Sequence, residues 1–363
     1  MTASPTAAQR QQALRELEPE PGLPTGVGCP PLPPLAQALV AALGTGGVAE
    51  LDPDVSDDRW REALVGPALA FLDRPGKDLR ARLVRAGWTL AGKPAAGMPA
   101  SLPRSIELLH AGSLIVDDVQ DGSDHRRGAP SLHKLVGEPL AINTGSWMYF
   151  WALAELSRLG IAGALERAVA ILVRAHQGQA LDLSTRITEL EMREAPGVVA
   201  ATTRLKTGAL CRLAMELGAM AAGAPPRVVV AIGALGESAG MALQMLDDLG
   251  CIVASERRGK ACEDLLACRP TWPWAWLAAS GDAVAWSALC SQMRALAAAG
   301  DRSAATVHAC ALAATLAERV EALGRESIRT TIANAIAAAK GVLPAAPLAE
   351  LAADLRAMES RYG

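Results

Sequence analysis

The chain has 363 residues, 51% of them hydrophobic and 20% charged, with a formal net charge of −3 at pH 7. That is enough apolar material for a sizeable core in one large domain or two, and it argues against non-specific nucleic-acid binding. Aromatic residues make up only 3% while alanine is abundant, a balance that favours closely packed helices over a β-sandwich.

Residues 1–35 hold many Pro, Gly, Gln and Glu residues and no apolar core. They read as a disordered extension, and without a basic region ahead of an apolar stretch they are not a signal peptide. Residues 36–363 read as one domain. Apolar periodicity predicts helices over 36–44, 57–73, 77–91, 101–119, 138–158, 161–187, 195–222, 227–253, 282–299, 302–339 and 346–358. Pro and Gly clusters at Gly92–Pro99, Gly122–Pro130, Gly223–Pro226 and Gly341–Pro347 separate them. No alternation of the strand type occurs. The expected fold is all-α, a single large helical bundle with an apolar centre and a polar mouth. No run of 18 apolar residues is present, so no transmembrane helix is expected.

The first chemical signal lies where the 101–119 helix ends, at Asp117-Asp118-Val119-Gln120-Asp121. Asp117 and Asp121 fall one turn apart on one helix face. Hard oxygen ligands grouped this way suit Mg²⁺, which binds through one or two carboxylates plus substrate phosphates. Arg126 and Arg127 follow and supply planar forks for phosphate oxygens. Metal and arginine together describe a diphosphate site; the plainer alternative is a solvated acidic turn followed by a basic one. A second apolar run ends in Asp247-Asp248, followed by Arg257-Arg258-Gly259-Lys260, Glu263-Asp264 and Arg269. Two such helices can face each other across a cavity, with metal ions holding one diphosphate from both sides.

Seven cysteines occur, at 29, 211, 251, 262, 268, 290 and 310, with no CxxC spacing. They read as small buried hydrophobes in a reducing cytosol rather than a disulfide framework. The five histidines form no zinc spacing. Trp272, Trp274 and Trp276 surround Pro273 and read as core or interface anchors, since every second position cannot share one helix face.

Taken in order, five elements resemble the motifs of the trans-isoprenyl diphosphate synthases, or polyprenyl synthetases. Gly76-Lys77-Asp78-Leu79-Arg80 is similar to the family's GKxxR, and Glu107-Leu108-Leu109-His110 with Asp117-Asp118-Val119-Gln120-Asp121 to its first aspartate-rich motif. Gly178-Gln179-Ala180-Leu181-Asp182-Leu183 resembles GQxxDL, Lys206-Thr207-Gly208 resembles KT(G/A), and Gln244 with Asp247-Asp248 resembles the second aspartate-rich motif. The resemblance runs from about Pro75 to Pro273. Within the family, Asn143–Phe150 and Cys262-Glu263-Asp264-Leu265 look closest to eukaryote-type geranylgeranyl diphosphate synthases. The chain departs from the common second motif at Cys251, where the family has its last aspartate, and at Arg269, where a lysine is usual.

The resemblance implies a bundle of the isoprenoid synthase type with a deep central cavity, working as a cytoplasmic homodimer. It implies Mg²⁺-dependent, head-to-tail condensation of isopentenyl diphosphate with an allylic diphosphate, using three Mg²⁺ ions when substrate is bound. Asp117, Asp121 and Asp247 are then the metal ligands, and Asp118, Asp182 and Asp248 orient them. Lys77, Arg80, His110 and Arg127 hold isopentenyl diphosphate; Arg126, Lys206 and Lys260 grip the allylic diphosphate, with Gln179 supporting. Lys206, Thr207 and Gln244 are expected to act catalytically. His110 lies about two turns before Asp117, so it points to nearly the same side of the helix. The small residues Gly112 and Ser113, one turn before Asp117, are expected to leave the floor of the chain-elongation tunnel open, with Trp147, Phe150 or Trp151 stopping growth deeper, at C20. Rival readings are a terpene cyclase, which needs no second diphosphate pocket, and a non-catalytic subunit of a heteromeric synthase, suggested by Cys251.

Overall fold

The structure is a computed structural model that describes residues 35–37, 39, 51–74, 76, 78–254, 257–298 and 302–362. The expected extension over residues 1–35 lies outside the described residues except for Leu35, which is helical along with Ala36, Gln37 and Leu39. The described chain is all-α apart from one short hairpin, His125–Arg126 with Ala129–Pro130. It divides into two compact units, Met1–Arg82 with Met98–Leu165, and Leu83–Gly97 with Glu166–Gly363.

In the first unit the dominant pair is Ser101–Asp121 packed along Glu138–Arg158. Their apolar faces bury Leu102, Ile106, Leu109, Ile115, Met148 and Leu156. The helices Asp57–Trp60 and Gly66–Leu72, joined by a π-helical turn at Arg61–Val65, add Phe71 to this core. A short helix, Leu132–Val136, was not expected from the sequence.

In the second unit the central element is Pro226–Val253, flanked by Ala209–Ala221 and Arg302–Ala339. Pro226–Val253 is long and apolar enough to cross a membrane by length and composition alone, a test that a core helix also meets, and half of its most apolar stretch is buried inside the protein. Glu237 and Ser238 interrupt the apolar run without lowering its average much. Two further helices escaped the sequence reading. Arg258–Leu266 is short and charged, and Trp272–Ala279 carries Pro273. Proline in a first helical turn breaks no hydrogen bond, because that N–H has no intrahelical partner. Trp272, Trp274 and Trp276 are all buried there, as core residues.

Cys262 of Arg258–Leu266 and Cys310 of Arg302–Ala339 are joined in a disulfide, with Cα atoms 5.6 Å apart. This corrects the expectation of unpaired thiols: the crossing of two helices brings together residues 48 apart in sequence. Cys211, Cys251, Cys268 and Cys290 are buried and lie outside the disulfide.

Candidate functional site

The first cluster is built by the way one helix stops. Ser101–Asp121 ends at Gly122, whose φ of 64° is left-handed. The Gly122 and Ser123 N–H groups then donate to the Val119 and Asp118 carbonyls, the pattern of a Schellman cap. The chain turns into the hairpin through Arg127 (φ 54°) and Gly128 (φ 78°), two positive φ values in sequence that match the twist of a two-residue hairpin. This return brings Arg126 back onto the helix it has just left. Its Nε donates to Asp118 Oδ1 at 2.7 Å, and Nη2 donates to the same oxygen.

Asp118 therefore faces inward, with a side chain 1% exposed, while Asp117 is half-buried and Asp121 exposed. Burial raises the Asp118 pKa, against the pull of Arg126. Its Oδ2 is buried with no hydrogen-bond partner.

Around Arg127 the cations gather. Arg74 is buried and donates to the carbonyls of Ala70 at 2.8 Å and Arg126 at 3.2 Å. Arg127 Nη1 donates to the Arg74 carbonyl at 3.3 Å. The guanidinium groups of Arg74 and Arg127 each lie 5.5 Å from the Phe71 ring centre, close enough for cation–π attraction. Glu107 is buried and accepts the Ala81 N–H at 2.8 Å, which caps the first turn of Leu79–Leu90 and fixes Arg80. Burial raises the Glu107 pKa, and that hydrogen bond opposes it. His110 is held well below its ordinary pKa by burial first, then by Arg80, Arg127 and Arg126. Arg80, His110, Arg126 and Arg127 thus form one cationic cluster around a neutral imidazole. Lys77 lies outside the described residues. Arg74 and Phe71 were missed because an isolated basic or apolar residue carries no motif, and Glu107 was quoted with the first motif but given no role of its own.

The expected tunnel floor needs correction. A Cβ on Gly112 would meet the Gly145 carbonyl oxygen at 2.6 Å and Met148 Cβ at 3.1 Å. Gly112 is small because two helix backbones touch there. Ser113 is half-buried and donates to the His110 carbonyl at 2.8 Å. Phe150 is 70% exposed, so it cannot stop a chain growing inside the bundle. Trp151 is buried and stacks on Trp147 with centroids 5.3 Å apart. The aromatic residue beside Gly112 is Tyr149, whose phenol is raised in pKa by burial and by Asp117.

The second cluster depends on close backbone approach. A Cβ on Gly178 would lie 2.6 Å from Leu205 Cβ and 3.0 Å from the Lys206 nitrogen. One turn later Asp182 meets both Lys206, which donates to its Oδ2, and Arg269 at 2.8 Å. Lys206 and Thr207 sit in a π-helical turn, Arg204–Gly208, a feature frequent at functional sites. A Cβ on Gly240 would lie 2.9 Å from the Thr207 carbonyl oxygen, and one turn on the Thr207 hydroxyl donates to Gln244 Oε1 at 2.8 Å. Gln244 Nε2 donates to Asp248 Oδ1 at 2.7 Å, and the Trp272 N–H donates to Asp248 Oδ2 at 3.0 Å. Burial pushes Asp248 up to about 6. The Trp272 link was invisible in the sequence, because it runs through a backbone N–H.

Asp247 points elsewhere. Arg257 Nη2 donates to its Oδ1 at 2.6 Å and Lys260 Nζ to its Oδ2. Arg257 also lies 3.6 Å from Cys251 Sγ. Burial pushes the Cys251 thiol up to about 12, so it is neutral. Asp264 nearby is raised to about 7, chiefly by burial. Gln179 is half-buried.

The donors fit Mg²⁺. Among the described residues no three of His, Cys, Asp and Glu converge into a metal-binding group. Mg²⁺ does not need such a cage, since it binds through one or two carboxylates and takes the rest from phosphates and water. Asp117 with Asp121, the orphaned Asp118 Oδ2 and Asp247 are hard oxygen donors of that kind.

Residues 61–294 match the family described as polyprenyl synthetase. The chain is 35% identical over 195 residues to a geranylgeranyl pyrophosphate synthase of Apiospora sacchari, covering 51% of this chain and 56% of the relative. It is 33% identical over 214 residues to geranylgeranyl pyrophosphate synthase 2 of Zymoseptoria tritici, covering 58% and 63%. The chain thus spans between half and two thirds of these curated relatives. Its fold is similar to a heptaprenyl diphosphate synthase of Staphylococcus aureus, with TM-score 0.72, 18% identity, and 91% and 96% of the two chains covered. A geranylgeranyl pyrophosphate synthase of Lactobacillus brevis gives TM-score 0.70 at 21% identity, with 90% and 94% covered. With more than half of its length matched, this chain belongs to the polyprenyl synthetase family.

Proposed function

We propose that the protein condenses isopentenyl diphosphate head-to-tail with an allylic diphosphate and releases geranylgeranyl diphosphate. The observation that carries this reading is the pair of aspartate-bearing helix ends, each with cations folded onto it, in a chain whose relatives from Apiospora sacchari and Zymoseptoria tritici are named for that product. Asp117, Asp121 and Asp247 are the residues that would hold Mg²⁺, three ions in this reading. Mg²⁺ held there would supply the positive charge that lets a diphosphate leave as an anion. Lys77, Arg80, Arg127 and neutral His110 bind isopentenyl diphosphate, His110 as a hydrogen-bond donor. Arg126, Lys206 and Lys260 orient the allylic diphosphate, with Gln179 supporting Lys206. Asp118 and Asp182 keep Arg126 and Lys206 in place, and Asp248 keeps Gln244 and Thr207 in place. The allylic carbocation is attacked by the C=C of isopentenyl diphosphate, and a proton then leaves.

Homodimerisation and a cytoplasmic location belong to the same reading. The exposed Ile142 and Phe150 of Glu138–Arg158 support a subunit contact. Purified chain incubated with labelled isopentenyl diphosphate and C5, C10 or C15 starters should yield a C20 diphosphate, abolished by EDTA. A cyclised hydrocarbon, or no product with any starter, would replace this reading with one of its two rivals.

A further inference from the structure

We propose that Trp272 and Thr203 are positioning residues: their hydrogen bond closes a ring that keeps the π-helical turn of Lys206 and Thr207 in the form that presents both to an allylic diphosphate. This deepens the proposed function and rests on its assignment of Lys206 and Thr207 to that substrate.

The ring has four hydrogen bonds. The Trp272 indole Nε1–H donates to Thr203 Oγ1 at 2.9 Å, inside the protein. The Trp272 backbone N–H donates to Asp248 Oδ2 at 3.0 Å, and Gln244 Nε2 donates to Asp248 Oδ1 at 2.7 Å. The Thr207 hydroxyl donates to Gln244 Oε1 at 2.8 Å. Thr203 and Thr207 belong to one continuous helical run, so the covalent chain completes the circuit. It ties Ala195–Thr203 to Pro226–Val253 and Trp272–Ala279, all within the second unit.

The π-helical turn, Arg204–Gly208, starts directly after Thr203 and contains Thr207. Regular α-helix is its competing form, because wide turns of this kind are rare and occur as single insertions. Relaxation to α-helix shifts the phase of the turn by about one residue, or about 100° around the axis. Lys206, which donates to Asp182 Oδ2, would be carried off that carboxylate. Anchors on both sides of the turn oppose this. Thr207 is held from Pro226–Val253 and Thr203 from Trp272–Ala279, and Asp248 locks these two helices to each other.

The indole contact is selective. Trp274 and Trp276 of the same helix are buried, and their indole N–H groups have no hydrogen-bond partner. Trp272 differs in that both of its donors, side chain and backbone, enter the ring.

The test is titration calorimetry on the full chain and on Thr203→Val, Thr203→Ser and Trp272→Phe, each checked for an unchanged circular-dichroism spectrum. The probe is a C10 allylic thiolodiphosphate, which does not ionise, in saturating Mg²⁺. Valine keeps the shape of threonine and lacks the acceptor, whereas serine keeps the acceptor. Thr203→Val should bind the probe roughly tenfold more weakly than the parent, and Thr203→Ser within about twofold of it. Trp272→Phe should match Thr203→Val, and the two combined should lose no more than either alone, since both break one hydrogen bond. If Trp272→Phe does not fold, the two Thr203 variants decide alone. In steady-state assays Thr203→Val should raise the KM for the allylic diphosphate and leave that for isopentenyl diphosphate unchanged, because Arg80, His110 and Arg127 belong to the first unit. A merely structural hydrogen bond would lower the melting temperature and leave probe affinity alone. Probe affinity in Thr203→Val within about twofold of the parent would therefore overturn the proposal. Equal losses for valine and serine would overturn it too, by assigning the effect to packing. Failure of the parent chain to bind the probe with Mg²⁺ would overturn the proposed function itself, and this proposal with it.

Discussion

Asp248 accepts one hydrogen bond on each carboxylate oxygen, from Gln244 Nε2 and from the Trp272 N–H. Asp248→Ala removes both acceptors and leaves two donors unpaired beside the buried Trp272. Each orphaned donor costs about 1–3 kcal/mol. Asp248→Asn keeps the shape. Its carbonyl accepts from Trp272, and its amide donates to a rotated Gln244, whose own amide then donates to the Thr207 hydroxyl. The relay runs in reverse, so the alanine variant should fall about 2–6 kcal/mol below the asparagine variant. Charge adds a second, pH-dependent signature. Burial raises Asp248 from 3.8 to about 6, so the folded state binds this proton more tightly than the unfolded state. The resulting stability is fully present below pH 3.8 and is lost as pH rises through about 6, by about 3 kcal/mol in total. Asparagine has no such proton. Relative to the parent, Asp248→Asn should therefore gain stability between pH 5 and pH 8. Urea unfolding of metal-free protein, followed by tryptophan fluorescence at both pH values, measures these gaps. Equal losses for alanine and asparagine would refute the relay, and parallel pH curves for asparagine and parent would refute the buried charge.

Gly112→Ala should destabilise the first unit by about 1–3 kcal/mol, because its methyl group meets the Gly145 carbonyl; a melting curve indistinguishable from the parent's would count against that contact. Ser113→Phe is the cleaner probe of chain length and should shorten the main product by one or two isoprene units, read by product chromatography. Arg127→Gly should leave stability within about 1 kcal/mol, since relief of left-handed backbone strain offsets the lost Phe71 contact. The same variant should raise the KM for isopentenyl diphosphate tenfold or more, a loss of about 1.4 kcal/mol, and an unchanged KM would remove Arg127 from that pocket. Replacing Cys262 and Cys310 by alanine reopens a loop of 48 residues and should cost the second unit about 4 kcal/mol on the chain-entropy account. An unaltered urea midpoint would show that the bridge does not form in solution.

Local chemistry made much of this protein legible from sequence. Helical periodicity over long segments such as 101–119, 138–158 and 302–339 depends on which residues recur, so it survives in the chain alone. The aspartate runs, Arg126-Arg127-Gly128 and Lys206-Thr207-Gly208 were legible for the same reason: the groups that act together lie within a few residues. Tertiary structure decided what depends on distance across helices. Gly112 read as an open floor because sequence records its size, whereas only the crossing with Gly145 shows what fills the space. Cys262 and Cys310 pair across 48 residues with no local spacing to announce it. Asp248 is held by a backbone N–H, and every residue but proline has one, so no side-chain pattern marks the Trp272 contact. Arg257 was named only as part of a basic run, and it is the fold that sets it against Asp247 at 2.6 Å. Sequence determines which groups are present and their local period, while packing alone determines which of them come within 3 Å of one another.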